Sequence, residues 1–143
     1  MELLVESNGV IYDMTSCCTK LSLSESLNDG AGSLDFTYLY DGTEIIQNGS
    51  YVRLCNTSET DGVFFGRVFK TGMGQDKEVK VKAYDQIRYC KAKDTITIEN
   101  ETLTDLVTRM CNFFQLQTGS LMPTGYVLQA KPQCDKTWLD IIY

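Results

Sequence analysis

Histidine is absent from this 143-residue chain, proline occurs twice and tryptophan once. Without imidazole there is no Ser-His-Asp or Cys-His catalytic pair and no histidine metal ligand. Cations are outnumbered, 13 Lys and Arg against 19 Asp and Glu, for a net charge of −6. That balance opposes the phosphate attraction on which most nucleic-acid binding depends. No apolar run approaches the ~20 residues that span a bilayer. The start, Met1-Glu2-Leu3-Leu4-Val5-Glu6, has neither the basic opening nor the apolar region of a secretory signal. Folding in a cytoplasm, with reduced thiols, is therefore expected.

What is present reads as one folded domain, or one plus part of another. The chain is 43% hydrophobic, and this length suffices for a core without cross-links. Six cysteines (Cys17, Cys18, Cys55, Cys90, Cys111 and Cys134) form no C-x-x-C pair, which argues against a zinc ribbon or redox motif. A free cysteine packs as a small hydrophobe.

The first hundred residues carry strand patterns. Residues 3–6 and 10–12 flank Asn8-Gly9, the favoured pair for a two-residue hairpin turn. Residues 18–23 alternate weakly, and 33–40 alternate cleanly, with Leu34, Phe36, Tyr38 and Tyr40 on one side. Further strands are expected at 51–55, 63–70 and 78–84, the last with Val79, Val81 and Ala83 on one face. Turn clusters at 28–32, 41–43, 48–49, 60–62 and 72–76 separate them. Turns about every ten residues indicate an antiparallel barrel or sandwich.

The pattern changes near residue 100. Leu103, Leu106, Val107, Met110, Cys111, Phe113, Phe114 and Leu116 recur at helical spacing, which predicts an amphipathic helix over 102–116. Thr102 and Asp105 resemble a capping box, and Gly119 is expected to end the helix. A loop or short strand follows through Pro123 and Val127-Leu128. A second helical pattern from about 136 carries Trp138, Leu139, Ile141 and Ile142 and stops at Tyr143, so the chain is expected to be cut inside an element.

Chemistry is sparsely signalled. Asp35, Asp85 and Glu99 are the carboxylates best placed for a glycosidase pair, but solvated acids at strand ends and turns are their commonest use. Gly72-x-Gly74 lacks the strand-to-helix setting and the Lys-Ser/Thr end of a phosphate loop. Asn56-Thr57-Ser58 and Asn100-Glu101-Thr102 match the glycosylation pattern by chance. Phe36, Phe65, Phe69, Phe113 and Phe114 are expected in the core, whereas Tyr38, Tyr40, Tyr51, Tyr84 and Tyr89 suit an interface. No residue is assigned a catalytic, cofactor-binding or metal-ligating role, and the chain is read as a non-enzyme.

An ordered set of segments adds to this reading. It comprises Met1-Glu2-Leu3-Leu4-Val5, Gly32-Ser33-Leu34-Asp35-Phe36-Thr37-Tyr38, Phe65-Gly66-Arg67-Val68, the run from Val79 to Cys90, Lys93-Asp94-Thr95, Thr124-Gly125-Tyr126 and Lys136-Thr137-Trp138-Leu139-Asp140-Ile141-Ile142. It resembles the XkdQ-type hub proteins of contractile phage tails and phage-tail-like bacteriocins, relatives of late control protein D. The resemblance implies a mainly β chain, with a tail-tube-like barrel at 1–98 and the start of an α/β insertion at 99–143. It implies a cofactor-free structural protein made in the bacterial cytoplasm and built into a tail baseplate. Its partners would be further copies in a ring (a trimer for the full-length protein), the tube protein, the spike and other baseplate proteins. Neither a membrane nor a specific nucleic acid is expected as partner. The rival reading is a stand-alone carbohydrate- or peptide-binding β module.

Overall fold

A computed structural model describes residues 1–26, 30–42, 46–56 and 62–142, in two compact units, Met1–Arg88 and a second beginning at Tyr89. In the first unit, Asn8 and Gly9 both adopt positive φ, 52° and 77°, as a primed two-residue turn requires. They join β1 (Glu2–Ser7) to β2 (Val10–Asp13), with Ser7 opposite Val10 and Leu4 opposite Asp13.

Five more strands follow: β3 (Cys18–Ser24), β4 (Ser33–Leu39), β5 (Tyr51–Cys55), β6 (Gly62–Met73) and β7 (Glu78–Asp85). All pair antiparallel in the order β2-β1-β5-β6-β7-β4-β3. The sheet curls into a half-barrel. Among the described residues β2 and β3 are its edges, each with one partner. Residues 28 and 29 of the turn expected at 28–32, residues 60 and 61 of the hairpin at 60–62 and residue 43 of the turn at 41–43 lie outside the described residues.

Strand alternation places one core on the inner face. Leu3 and Val5, Val52 and Leu54, Phe64 and Val68, Val79 to Ala83, and Leu34 to Tyr38 supply it from five strands, and Met14 and Ile46 join from connections. Leu34 and Phe36 are at most 1% exposed, and burying each is worth about 1.5–3 kcal/mol.

Three aromatic assignments are corrected here. Phe65 and Phe69 were expected inside but are 48% and 38% exposed, because Phe64, Gly66 and Val68 occupy the inward positions of β6. Tyr38, expected at an interface, is core at 4% exposure. Its hydroxyl accepts the Ile46 backbone N–H at 3.2 Å, and burial raises its pKa. Tyr40 packs partly against the same core.

The second unit contains β8 (Lys93–Ile98), α1 (Leu103–Phe113), β9 (Lys131–Thr137) and α2 (Trp138–Ile142). β8 pairs with β9, so it groups with this unit, whereas the sequence set the boundary at 98. Cys90, Ile98, Leu106, Met110, Cys111 and Trp138 form its core. Phe113 is a further correction: it is 63% exposed, although its ring stacks on Trp138 at 5.6 Å.

Both helices open on the same device. The Thr102 hydroxyl accepts the Asp105 N–H (3.2 Å), while the Asp105 carboxylate accepts the Thr102 N–H (3.0 Å) and hydroxyl (2.6 Å). Thr137 and Asp140 repeat the arrangement at α2, and that helix starts at Trp138 rather than near 136. α1 also ends earlier than predicted. Gln115 takes the left-handed backbone at φ 56°. Its N–H reaches the Asn112 carbonyl, and that of Leu116 reaches Cys111, the two bonds of a Schellman closure, here with glutamine in place of the usual glycine. Leu116 packs against the core.

Hydrogen bonds from their threonines hold the Asp105 and Asp140 carboxyls below the ordinary value of 3.8. A carboxyl depressed in the folded state stabilises it above the unfolded pKa, and this is lost as pH falls through the folded value. The second unit is therefore expected to lose stability on acidification below about pH 4. Thr102→Val should abolish part of that acid dependence and cost about 1 kcal/mol at neutral pH, both measurable by denaturant titration. An unchanged acid limb would contradict the assignment.

Candidate interaction surface

The outer face of β5, β6 and β7 concentrates the exposed aromatic rings and cations of the first unit. Tyr51 and Arg53 come from β5, Phe65, Arg67 and Phe69 from β6, and Lys80, Lys82 and Tyr84 from β7. Register brings them together, with Tyr51 opposite Arg67 and Arg67 opposite Tyr84. A register shift between Val68 and Lys70 inserts an extra residue in β6, which leaves both Phe69 and Lys70 exposed.

The contacts are specific. Tyr51 stacks on Phe65 with centroids 5.8 Å apart. The Arg67 guanidinium lies 4.0 Å from the Tyr51 ring centroid and donates to the Tyr51 hydroxyl. Phe69 meets Tyr84 edge-on at 5.4 Å, and Lys82 and Arg88 approach that ring at 5.5 and 5.4 Å. Cations over aromatic faces are held by the ring quadrupole. Tyrosine, phenylalanine and arginine are also the residues that dominate protein interfaces.

The acids singled out in the sequence have other tasks. Asp35 pairs with Lys82 at 3.2 Å. Asp85 accepts the backbone N–H groups of Gly32 (2.8 Å) and Ile87 (3.0 Å), fastening the end of β7. Burial raises its pKa. Glu99 lies exposed in the second unit. Gly74 donates to the Glu78 carbonyl at 2.7 Å, so Gly72-x-Gly74 leads into the β6–β7 turn. Cys55, Cys90 and Cys111 are buried, Cys17 and Cys134 exposed. Burial raises the pKa of Cys18, whose thiol donates to the Lys20 carbonyl. Among the described residues no three His, Cys, Asp or Glu side chains are grouped to hold a metal, and no helix is long and apolar enough to cross a membrane.

Of the tyrosines expected at an interface, Tyr51 and Tyr84 fall on this face, and Tyr89 is exposed in the second unit. Sequence reasoning missed Phe65 and Phe69. The signal available was Arg67, whose charge marks its own parity on β6 as the outward one.

An open half-barrel with a small helical unit is a fold found in phage-tail proteins. It is similar to the 43 kDa tail protein of prophage MuSo2 from Shewanella oneidensis, at TM-score 0.75 and 18% identity, over 99% of this chain and 46% of that one. It is also similar to the E. coli c3393 protein, a type VI secretion component described as resembling the T4 tail proteins gp27 and gp5. There the TM-score is 0.62 and the identity 11%, over 86% of this chain and 41% of that one. The chain thus spans less than half the length of either. Residues 21–143 match the YQBQ-like family model, and the chain belongs to the YQBQ-like family. No curated protein sequence matches it.

Proposed function

We propose that the chain is a non-catalytic structural component of a contractile phage tail or tail-like particle, part of the baseplate hub that joins the tail tube to the central spike. The observation that carries this reading is the likeness of 99% of the chain to under half of a phage-tail protein. The hub assignment follows the resemblance to XkdQ-type proteins read from the sequence. In this reading the first unit, Met1–Arg88, is the tube-like domain and the second, from Tyr89, belongs to the α/β insertion.

The mechanism is steric and mechanical. A curled sheet with two edge strands, β2 and β3, offers backbone donors and acceptors to neighbouring subunits. Pairing there closes a ring around the tail axis, a trimer for the full-length protein. Assembly takes place in the bacterial cytoplasm, after which the protein resides in the particle. The carboxylates serve the fold rather than a reaction, as the backbone bonds of Asp85 illustrate.

The test is co-sedimentation of the tagged, intact gene product with tail particles, followed by mass spectrometry of the particle fraction. The expected result is its recovery together with tube and spike proteins, in fixed proportion. Recovery only in the free-protein fraction, from cells that assemble tails, would overturn the proposal.

A further inference from the structure

Strand β6 outruns its neighbour. β5 pairs with it only over residues 62–67, and the last bonds on that side join Val68 to Gly49 and Ser50. There the extra residue between Val68 and Lys70 bends the strand away, as a bulge does. Among the described residues, 70–73 continue against β7 alone. The β6–β7 hairpin therefore carries an open edge of its own, apart from those of β2 and β3.

The ladder fixes which groups are free. Gly74 donates its N–H to the Glu78 carbonyl and so faces β7. Positions in an antiparallel pair alternate between bonded and non-bonded, so Gly72 and Lys70 bond to their partners Lys80 and Lys82. Thr71 and Met73 turn N–H and C=O the other way, where no backbone partner meets them among the described residues. Two donors and two acceptors are left in line, with a repeat of about 6.8 Å.

The side chains around this edge are sorted by face. On the outer face a hollow of about 400 Å³ is lined by Lys70, Lys80 and Lys82, with Asp35 as its one acid. Asp35 pairs with Lys82 at 3.2 Å, whereas Lys70 and Lys80 have no ion pair among the described residues. Gly72 stands between Lys80 and the open edge, and nothing lies within 4 Å of where its Cβ would be. No side chain therefore separates Lys80 from the edge. Met73, on the alternate position, is 57% exposed.

We infer that this edge takes up an extended acidic segment of a partner protein, which adds a strand beside residues 70–73. Its backbone pairs with Thr71 and Met73. Acids at alternate positions lie opposite Lys70 and, across Gly72, opposite Lys80, and the residues between them are apolar and meet Met73. Main-chain bonds give such an addition its affinity, and the alternate side chains give its specificity. A phosphate backbone accepts hydrogen bonds but donates none, so a nucleic acid would leave the Thr71 and Met73 carbonyls unpaired. Lysines also guard an edge against indiscriminate pairing, so the residues that select acid exclude strands of like charge. The inference does not rest on the hub reading, whose ring closure uses β2 and β3.

The experiment is amide hydrogen exchange followed by NMR on the full chain, with the capped peptide Thr-Val-Glu-Val-Glu-Val-Thr as probe. A peptide with lysine in place of both glutamates and a short oligothymidylate run beside it. At about ten times Kd the acidic peptide should slow exchange of the Thr71 and Met73 amides about tenfold. Exchange at Gly72, already bonded to β7, should change little. Lys70→Glu/Lys80→Glu, verified as folded by circular dichroism, should weaken the acidic peptide at least about tenfold and bind the lysine peptide instead. Thr71→Pro, which removes only an outward N–H, should weaken binding while the Gly72 amide stays protected. No slowing at Thr71 and Met73, equal binding of both peptides by the wild type, or displacement of the peptide by oligothymidylate would each overturn the inference. None of these results bears on whether the protein is recovered with tail particles.

Discussion

Gly66→Val is expected to prevent the seven-stranded sheet from forming. A Cβ at this position would lie 2.2 Å from the Tyr84 carbonyl oxygen, 2.7 Å from its carbon and 2.8 Å from the Phe64 ring. Two of these neighbours are backbone, held in place because β7 is paired on both sides, to β6 and β4. Overpacking of a core costs about 1–3 kcal/mol, and more where backbone must move. Against a total stability of about 5–15 kcal/mol, the valine variant should lose its cooperative far-UV transition. Gly72→Ala is the control, since nothing lies within 4 Å of an added Cβ there. Equal melting of Gly66→Val and Gly72→Ala would contradict the packing described.

The second large effect belongs to the helical unit. Leu106 is fully buried in α1, within the cluster that includes Met110, Cys111 and Trp138. Leu106→Ala should cost about 2–5 kcal/mol, the sum of lost transfer energy and the cavity left behind. Trp138 is the chain's single tryptophan and is 3% exposed, so its emission reports on this unit alone. The variant should unfold at a clearly lower denaturant concentration by fluorescence. A loss under about 1 kcal/mol would show that the helix collapses onto the space, or that its burial is not what secures the unit.

These positions also mark where the sequence was legible and where it was not. The β1–β2 hairpin was legible because Asn8-Gly9 specifies both positive φ values. β4 and β7 were legible because polar residues separate Leu34 from Phe36 and Val79 from Val81. β6 was read backwards: Val63, Phe65 and Phe69 compete with Phe64 and Val68 for the inner face, both sets are apolar, and the charge of Arg67 is what marks the odd positions as outward. The structure adds the reason Gly66 is glycine, an inward position facing the Tyr84 carbonyl with no room for a Cβ. β9 escaped notice because Lys131–Thr137 is polar, contains Pro132 and, among the described residues, pairs with β8 alone; an edge strand tolerates proline. The end of α1 was misplaced because Gln115, not glycine, takes the left-handed turn.

The interaction surface was half legible. Tyr51 and Tyr84 were marked by residue type, since an apolar ring with a polar tip suits a boundary. Their setting was not, because it depends on the pairing of β5, β6 and β7 in three dimensions. Tyr38 shows the converse: it shares the residue type, but a hydrogen bond to the Ile46 backbone lets its ring enter the core. Type alone could not separate the two outcomes.

The most direct test of the structural role is negative-stain electron microscopy of tail particles purified with the tagged, intact gene product and decorated with gold at the tag. The account predicts rod-like particles carrying gold at one end, at the baseplate. Gold along the whole tube, or rods that assemble without any label while the protein stays a soluble monomer, would contradict it.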